Sequence, residues 1–599
     1  MNNRNKKKKY RIIAVVAVLY LALVAGILAR DKILNIVPQS SMLKTSEQDT
    51  TAEDKKKAED KKKAEEAKAA LEAEKKDNYK KVMQSLTYDI NTAPIKIDEA
   101  DCISLIKENN LPSLSRMSEE DTKKYMSELQ VLKKIEKLGI DPAQFETPEL
   151  NWKNTYNTVD NTINNRTKYQ NDVRFNGSTA SELNALIATS DSAYITIESD
   201  KIILDETINL KSDIGINASK TEFVPGSMVI DKAVMAEDCD NISLDYFKLE
   251  NGGYNYALYI IRTNNFSIKG CTFSKSTYKG LVVMGTCTNF VMLDNNVTYN
   301  GNGGVFLNGN ISNGIIKNND IEENYGTRNL TAGMVMTSMT IDDYYTAYNE
   351  FKDEHLYDLL DTPHDIVLYQ NRVQHNNSSG IYSDGAYNIY IIENIIYKNE
   401  KEGMCLDYGT FGAYVHNNVV RQNGGRFRQT DEDLEADFVT SFGRLEDGSS
   451  PAKLPGISID NSAYNIILNN NVNQNYGSGI KSVRSAYRNV IMENTVSDNN
   501  YGENEKFHFF GIEIGHASTP DEPVIGLDFT ASYENIVCRN VVTGPDYAGV
   551  FLEIESYCND VFDNVIMGSE KFAIECHSTL FNSIVNNTLN QEVLNLYGH

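Results

Sequence analysis

Asp384, Asp407 and Asp460 each stand four residues after a glycine that opens a short run: Gly380-Ile-Tyr-Ser-Asp, Gly403-Met-Cys-Leu-Asp and Gly456-Ile-Ser-Ile-Asp. If these runs are strands whose first residue after the glycine points inward, all three aspartates point outward at one position. On adjacent parallel strands, neighbouring carboxylates lie about 4.8 Å apart and the outer two about 9.6 Å apart. Three such groups cannot all ionise unassisted. Either one keeps a proton, which makes an acid/base or nucleophile pair, or a cation such as Ca²⁺ neutralises them. The adjacent spacing is near that of retaining glycosidases, and the outer spacing is near the upper end for inverting ones. Lys481 and Glu513 occupy the neighbouring outward column one and two coils later, with Arg484 and His516 just beyond them. Lys481 or Arg484 is a candidate base, Glu513 a further carboxylate and His516 a proton carrier. Bland readings stand beside these. Asp384-Gly385 and Asp460-Asn461 end strands, where aspartate commonly turns onto its own backbone. The lysine and arginine can serve charge balance alone, and a lone outward histidine often does nothing.

The elements that must position these groups form a repeat. An asparagine two residues before an apolar residue recurs at Asn295, Asn319, Asn371, Asn394, Asn418, Asn470, Asn494, Asn540, Asn564 and Asn587. Successive gaps are about 23 to 24 residues, or one such period plus an insertion. Seven residues after the apolar position a glycine opens the next run, as at Gly304, Gly380 and Gly403. Apolar residues alternate within the runs (Ile457 and Ile459; Val550 and Leu552), which is strand chemistry and excludes helical repeats. Equal strands stacked at this period make a solenoid, and a buried asparagine at one turn of each coil can bond its counterparts above and below.

On these repeats the chain resembles the right-handed parallel β-helix, pectate-lyase-like superfamily, from about Ser181 to the C-terminus. The resemblance implies an all-β solenoid, a right-handed, single-stranded parallel β-helix that binds polysaccharide along its strands. That fold carries lyases, hydrolases, epimerases and non-catalytic surface proteins, so activity does not follow from it. The double-aspartate and Gly-His-Gly set of polygalacturonase-type hydrolases is missing, Ile514-Gly515-His516-Ala517 being a partial echo, and no Arg-x-Pro-x-x-Arg pattern of pectate lyases is present.

Ahead of the coils, basic residues among 1–11 precede an uncharged apolar run at 12–29, long enough as a helix (about 27 Å) to span a bilayer. The charge bias places the N-terminus in the cytoplasm and the remainder outside, as a single-pass signal anchor. A cleaved signal peptide is the competing reading, against which stand the length of the run and the lack of a small-x-small site. Residues 30–84 contain Ala-Glu-Asp-Lys-Lys-Lys twice, with Glu53–Lys57 and Glu59–Lys63 in favourable i,i+4 order. They predict a solvated helical stalk without a coiled-coil seam. Residues 85–178 lean helical, with a start at Ser118-Glu-Glu-Asp121, and read as a spacer or cap containing Trp152, the one tryptophan. A helix near Ser181–Ala188 then reads as a plug for the open end of the stack, and the solenoid fills 179–599.

The chain carries −25 overall, but residues after 82 hold 38 Lys+Arg against 71 Asp+Glu. Nucleic acid and anionic lipid surfaces are therefore excluded as partners of the body. The eight cysteines lack metal or disulfide spacing, and Cys271, Cys405, Cys538 and Cys576 read as small buried hydrophobes. Insertions near 338–364, 424–454, 500–509 and 519–532 flank the aspartate coils and are expected to wall a groove. They contain Tyr344, Tyr345, Tyr348, Tyr357 and Phe427 for stacking on sugars, and Arg426, Arg428 and Arg444 for acidic groups. The expected protein is a membrane-anchored, extracytoplasmic, polysaccharide-active enzyme. Hydrolysis is favoured over elimination or epimerisation, because the body is acidic and basic residues near the stack are few. The alternative is a non-catalytic surface protein that binds glycan or protein.

Overall fold

The computed structural model describes residues 135, 138–140, 145, 147–326, 329–337, 362–407, 409–425, 454–484, 486–500, 509–515, 532–544, 547–553, 556, 559–577, 582–589 and 593–595. Among them, parallel strands stack into three long sheets of 15, 14 and 12 members. One coil contributes one strand to each sheet: Tyr387–Ile392, Ile395–Tyr397 and Met404–Asp407 make a full turn. The next coil repeats it in register, with Ile396 beside Val420 and Leu406 beside Ile459. Inward residues such as Ile381, Ile391, Ile396, Met404 and Leu406 are fully buried in one continuous apolar core.

The asparagine repeat is a hydrogen-bonded ladder. Asn394 donates its side-chain amide to Asn418 Oδ1 at 3.0 Å and to Leu368 O at 2.9 Å, and its backbone N–H also reaches Asn418 Oδ1. Two further ladders were not read from the sequence. Asn300, Asn324, Asn376, Asn399, Asn423, Asn475 and Asn499 form one, and Asn465, Asn489, Asn535, Asn559 and Asn582 form the other. They sit five residues after and five before the first ladder, so the coils with Asn465, Asn470 and Asn475 and with Asn489, Asn494 and Asn499 carry one at all three corners.

In every case where the residue before a ladder asparagine is described, it is left-handed, as at Glu393 (φ 55°), Lys398 (φ 52°) and Arg488 (φ 53°). For such residues this conformation costs about 1–2 kcal/mol. It persists because the ladder bonds, each contributing about 1 kcal/mol net, and the flanking strand pairing fix the corner together. The strand-opening glycines have a related cause. A Cβ on Gly380 would lie 2.7 Å from Asn399 Nδ2, and one on Gly403 would lie 2.8 Å from Asn423 Nδ2.

Helix α1 (Pro148–Asn164) lies on the outer face of the 15-stranded sheet. Its Val159 and Ile163 pack against Ile315, and Trp152 against Tyr369. Helix α2 (Ala180–Thr189) starts at Thr179, whose hydroxyl accepts from Glu182 N, and feeds Leu183 and Ile187 into the main core beside the first strands of the stack. The apolar run at 12–29 and the charged repeat at 30–84 lie outside the described residues. Among the described residues no helix is long and apolar enough to cross a membrane.

Candidate functional site

The outer face of the 14-stranded sheet carries the two columns expected from the glycine spacing. Val335, Tyr382, Cys405, Ser458, Lys481 and Glu513 pair in succession, and Thr337, Asp384 and Asp407 form the second column. Asp460 follows Asp407 one coil on and pairs with Val483. The three aspartates therefore share one column, but not as an exposed ridge. Asp384, Asp407 and Asp460 are only 3%, 2% and 7% exposed. In its earlier coils the neighbouring column is apolar and forms a second small core outside the coil, where Val282, Phe306, Val335, Tyr382 and Cys405 pack together.

The aspartates have different surroundings. Asp384 Oδ2 accepts from Thr337 Oγ1 at 3.1 Å, and Asp407 Oδ2 accepts from the Tyr382 hydroxyl at 3.0 Å. Both donors are neutral and come from the preceding coil. Asp460 instead takes the Arg484 guanidinium, with Nε 2.6 Å from Oδ1 and 2.8 Å from Oδ2. Asp460 is thus neutralised by an ion pair, whereas the adjacent acids Asp384 and Asp407 each accept from a neutral hydroxyl.

The two candidates for a base, Lys481 and Arg484, both stand beside carboxylates. Lys481 Nζ is 2.7 Å from Glu513 Oε1, and Ser478 donates to Glu513 Oε2 at 2.7 Å. Burial lowers the affinity of Lys481 for its proton, but the carboxylates of Glu513, Glu553 and Asp460 outweigh it and hold the ammonium above its ordinary value. A lysine so held is a charge partner and a poor base, and Arg484 is spent on Asp460. Of the two roles open to this pair, the geometry supports charge balance. Cys405, between Tyr382 and Ser458, is pushed well above its usual range by burial and then by Asp407 and other acids, so it remains a thiol. His516 and the loop residues Tyr344, Tyr345, Tyr348, Tyr357, Phe427, Arg426, Arg428 and Arg444 lie outside the described residues.

Glu553 and the Glu575–His577 pair extend the row and were not among the expected site residues, although both fall in the same columns. Glu553 leans across Gly515, where an added Cβ would lie 2.6 Å from its Oε2. His577 Nε2 is 2.7 Å from the buried Glu575. Their signal was the column position itself.

A Ca²⁺ site built from Asp384, Asp407 and Asp460 does not fit this arrangement, because Arg484 occupies both oxygens of Asp460. Among the described residues no group of three His, Cys, Asp or Glu side chains converges as a metal site. The cysteines expected to be small hydrophobes, Cys271, Cys405, Cys538 and Cys576, are buried free thiols.

The family model described as "Right handed beta helix region" matches residues 232–427. The chain is a right-handed parallel β-helix. Among solved structures it resembles the mannuronan C-5 epimerase AlgE4 A-module of Azotobacter vinelandii, at 11% identity over 69% of this chain and 100% of that one, with a TM-score of 0.43. A GH87 α-1,3-glucanase catalytic unit from Streptomyces thermodiastaticus is similar at 11% identity over 70% of each chain, TM-score 0.43. The Streptococcus pneumoniae surface protein and adhesin PfbA is similar at 13% identity over 68% of this chain and 96% of that one, TM-score 0.34. Scores this low transfer no chemistry to this β-helix. Among curated proteins, none matches the sequence.

Proposed function

We propose that this β-helix is a polysaccharide-active enzyme, a glycoside hydrolase in preference to a lyase or epimerase, working outside the cell and held to the membrane by residues 12–29. The observation that carries the reading is the Asp384–Asp407 pair, in register on adjacent strands, buried, and supplied with uncharged donors by Thr337 and Tyr382. Two carboxyls so placed favour holding one proton between them, which gives an acid and a base or nucleophile at neutral pH. The strand spacing of about 4.8 Å is nearer the retaining than the inverting geometry. Elimination and epimerisation need an unpaired base beside the sugar, and Lys481 and Arg484 are both committed to carboxylates.

The burial of both aspartates favours a second reading, a non-catalytic surface protein in which they are structural. An enzyme must make their oxygens reachable to the glycan, since the pair is inert while covered. The deciding experiment presents neutral and acidic polysaccharides to the full-length protein and scores reducing ends and unsaturated products separately. Reducing ends that vanish in Asp384→Asn and Asp407→Asn support hydrolysis. Unsaturated products overturn it in favour of a lyase, and no turnover on any polymer leaves the binding protein.

A further inference from the structure

A second site lies away from the carboxylates, on the 15-stranded sheet. The segment leaving α1 crosses the outer face of that sheet and borders an open cavity of about 480 Å³, within the range of small-ligand sites. Tyr169 and Tyr194 line it, their rings stacked with centroids 5.7 Å apart. The pair rests on Gly215, where a Cβ would lie 2.5 Å from Tyr194 and 2.6 Å from Tyr169, so only glycine lets the rings sit this low.

Both rings are tied at their far ends. The Tyr169 hydroxyl donates to Ser243 Oγ at 2.9 Å, and that of Tyr194 to Asp245 Oδ2 at 2.6 Å. Beside them Arg166 is fixed by Ile242 O at 2.9 Å and Ser267 Oγ at 3.0 Å, which pins the crossing segment to the sheet. The result is a rigid aromatic wall whose ordering cost is met before any ligand arrives.

The remaining lining decides the ligand class. Val291 and Leu293 add apolar surface, while Lys168, Lys269, Asp160 and Asp172 add charges of both signs. None of these four is in an ion pair among the described residues. An anion would meet the two aspartates and a cation the two lysines. A hydroxyl-rich ring instead accepts from ammonium groups, donates to carboxylates and lays its C–H face on aromatic and apolar surface.

We infer that this cavity binds a neutral sugar unit of a glycan, as a non-catalytic anchoring site on a different sheet from Asp384 and Asp407. The ligand class is taken from this cavity alone and stands apart from the hydrolase reading.

The test is calorimetric titration of the full-length protein with cellohexaose, xylohexaose and chitohexaose, with tetragalacturonate as the acidic control. At least one neutral oligosaccharide is expected to bind. Tyr169→Ala and the surface double variant Asp172→Ala/Lys269→Ala are each expected to weaken it at least tenfold. If Tyr169→Ala does not fold, the surface variant decides. Failure of every neutral probe to bind, tighter binding of tetragalacturonate, or wild-type affinity in folded cavity variants overturns the inference. Turnover without cavity-dependent binding removes this site and leaves the hydrolase. Cavity-dependent binding without turnover does the reverse.

Discussion

Two kinds of buried polar column run along this solenoid, and they differ in whether a column can satisfy itself. An asparagine amide both donates and accepts, so Asn394 bonds Asn418, Asn418 bonds Asn470, and the ladder extends to any height. A carboxylate only accepts and repels its copies. Each aspartate on the 14-stranded sheet therefore recruits a different partner: Thr337 for Asp384, Tyr382 for Asp407 and Arg484 for Asp460. A self-complementary column is scaffold. The aspartate column depends instead on side chains from the coils before and after it.

The sharpest way to break this contrast is to turn one column into the other. Asp407→Asn supplies the missing donor to the acidic column. Turnover is expected to fall about 10²- to 10⁴-fold, the share of a general acid or base, while the melting temperature stays level or rises. A calorimetric scan beside the reducing-end assay checks both, and a large loss of stability would mark Asp407 as structural. The reverse change, Asn418→Asp, buries an acceptor-only charge between Asn394 and Asn470. It is expected to cost about 3–5 kcal/mol, read from the urea midpoint.

Between these extremes lies the charge-balanced stretch. Lys481→Met strips Glu513 of its cation and is expected to cost roughly 2–3 kcal/mol, less than a fully sealed pair because the lysine retains some solvent contact. Adding Glu513→Gln should restore most of the loss. A double variant no better than the single one would show that the pair is not the unit that matters.

The smallest expected effect concerns Lys279, buried at the start of the apolar outward column. Its ammonium donates to Asn302 O at 2.8 Å and Leu330 O at 2.6 Å and lies over the Phe306 ring. Burial pulls its pKa down to about 7. The unfolded chain takes up this proton near pH 10, the folded chain only near 7, so this lysine's contribution is complete above about pH 10.4 and declines as pH falls toward 7. Below 7 the contribution is flat. Lys279→Met should remove that slope, which urea titrations at pH 7 and pH 9 compare directly; an unchanged slope would mean that Lys279 is solvated.

Much of this was legible in the chain. The asparagine and glycine spacing announced coils of fixed period, and with period two inside each strand it placed Asp384 and Asp407 in one column, as the register shows. The two extra ladders are written in the chain as well, at five residues on either side of the first. The burial of the aspartates was not legible, since an outward position on a strand says nothing about what packs over it. Phe306, Val335 and Tyr382 build a second core on the outside of the coil. The role of Lys481 was open for a similar reason, because its partners Glu513 and Glu553 come from later coils.

The sequence by itself thus determined which residues stand above one another, because constant pitch turns spacing along the chain into position across the sheet. Only the tertiary structure decided which of those stacked acids meets a guanidinium and which meets a hydroxyl. That choice depends on side chains from the coils before and after, such as Tyr382 reaching forward and Arg484 reaching back, at contact distances that no period along the chain records.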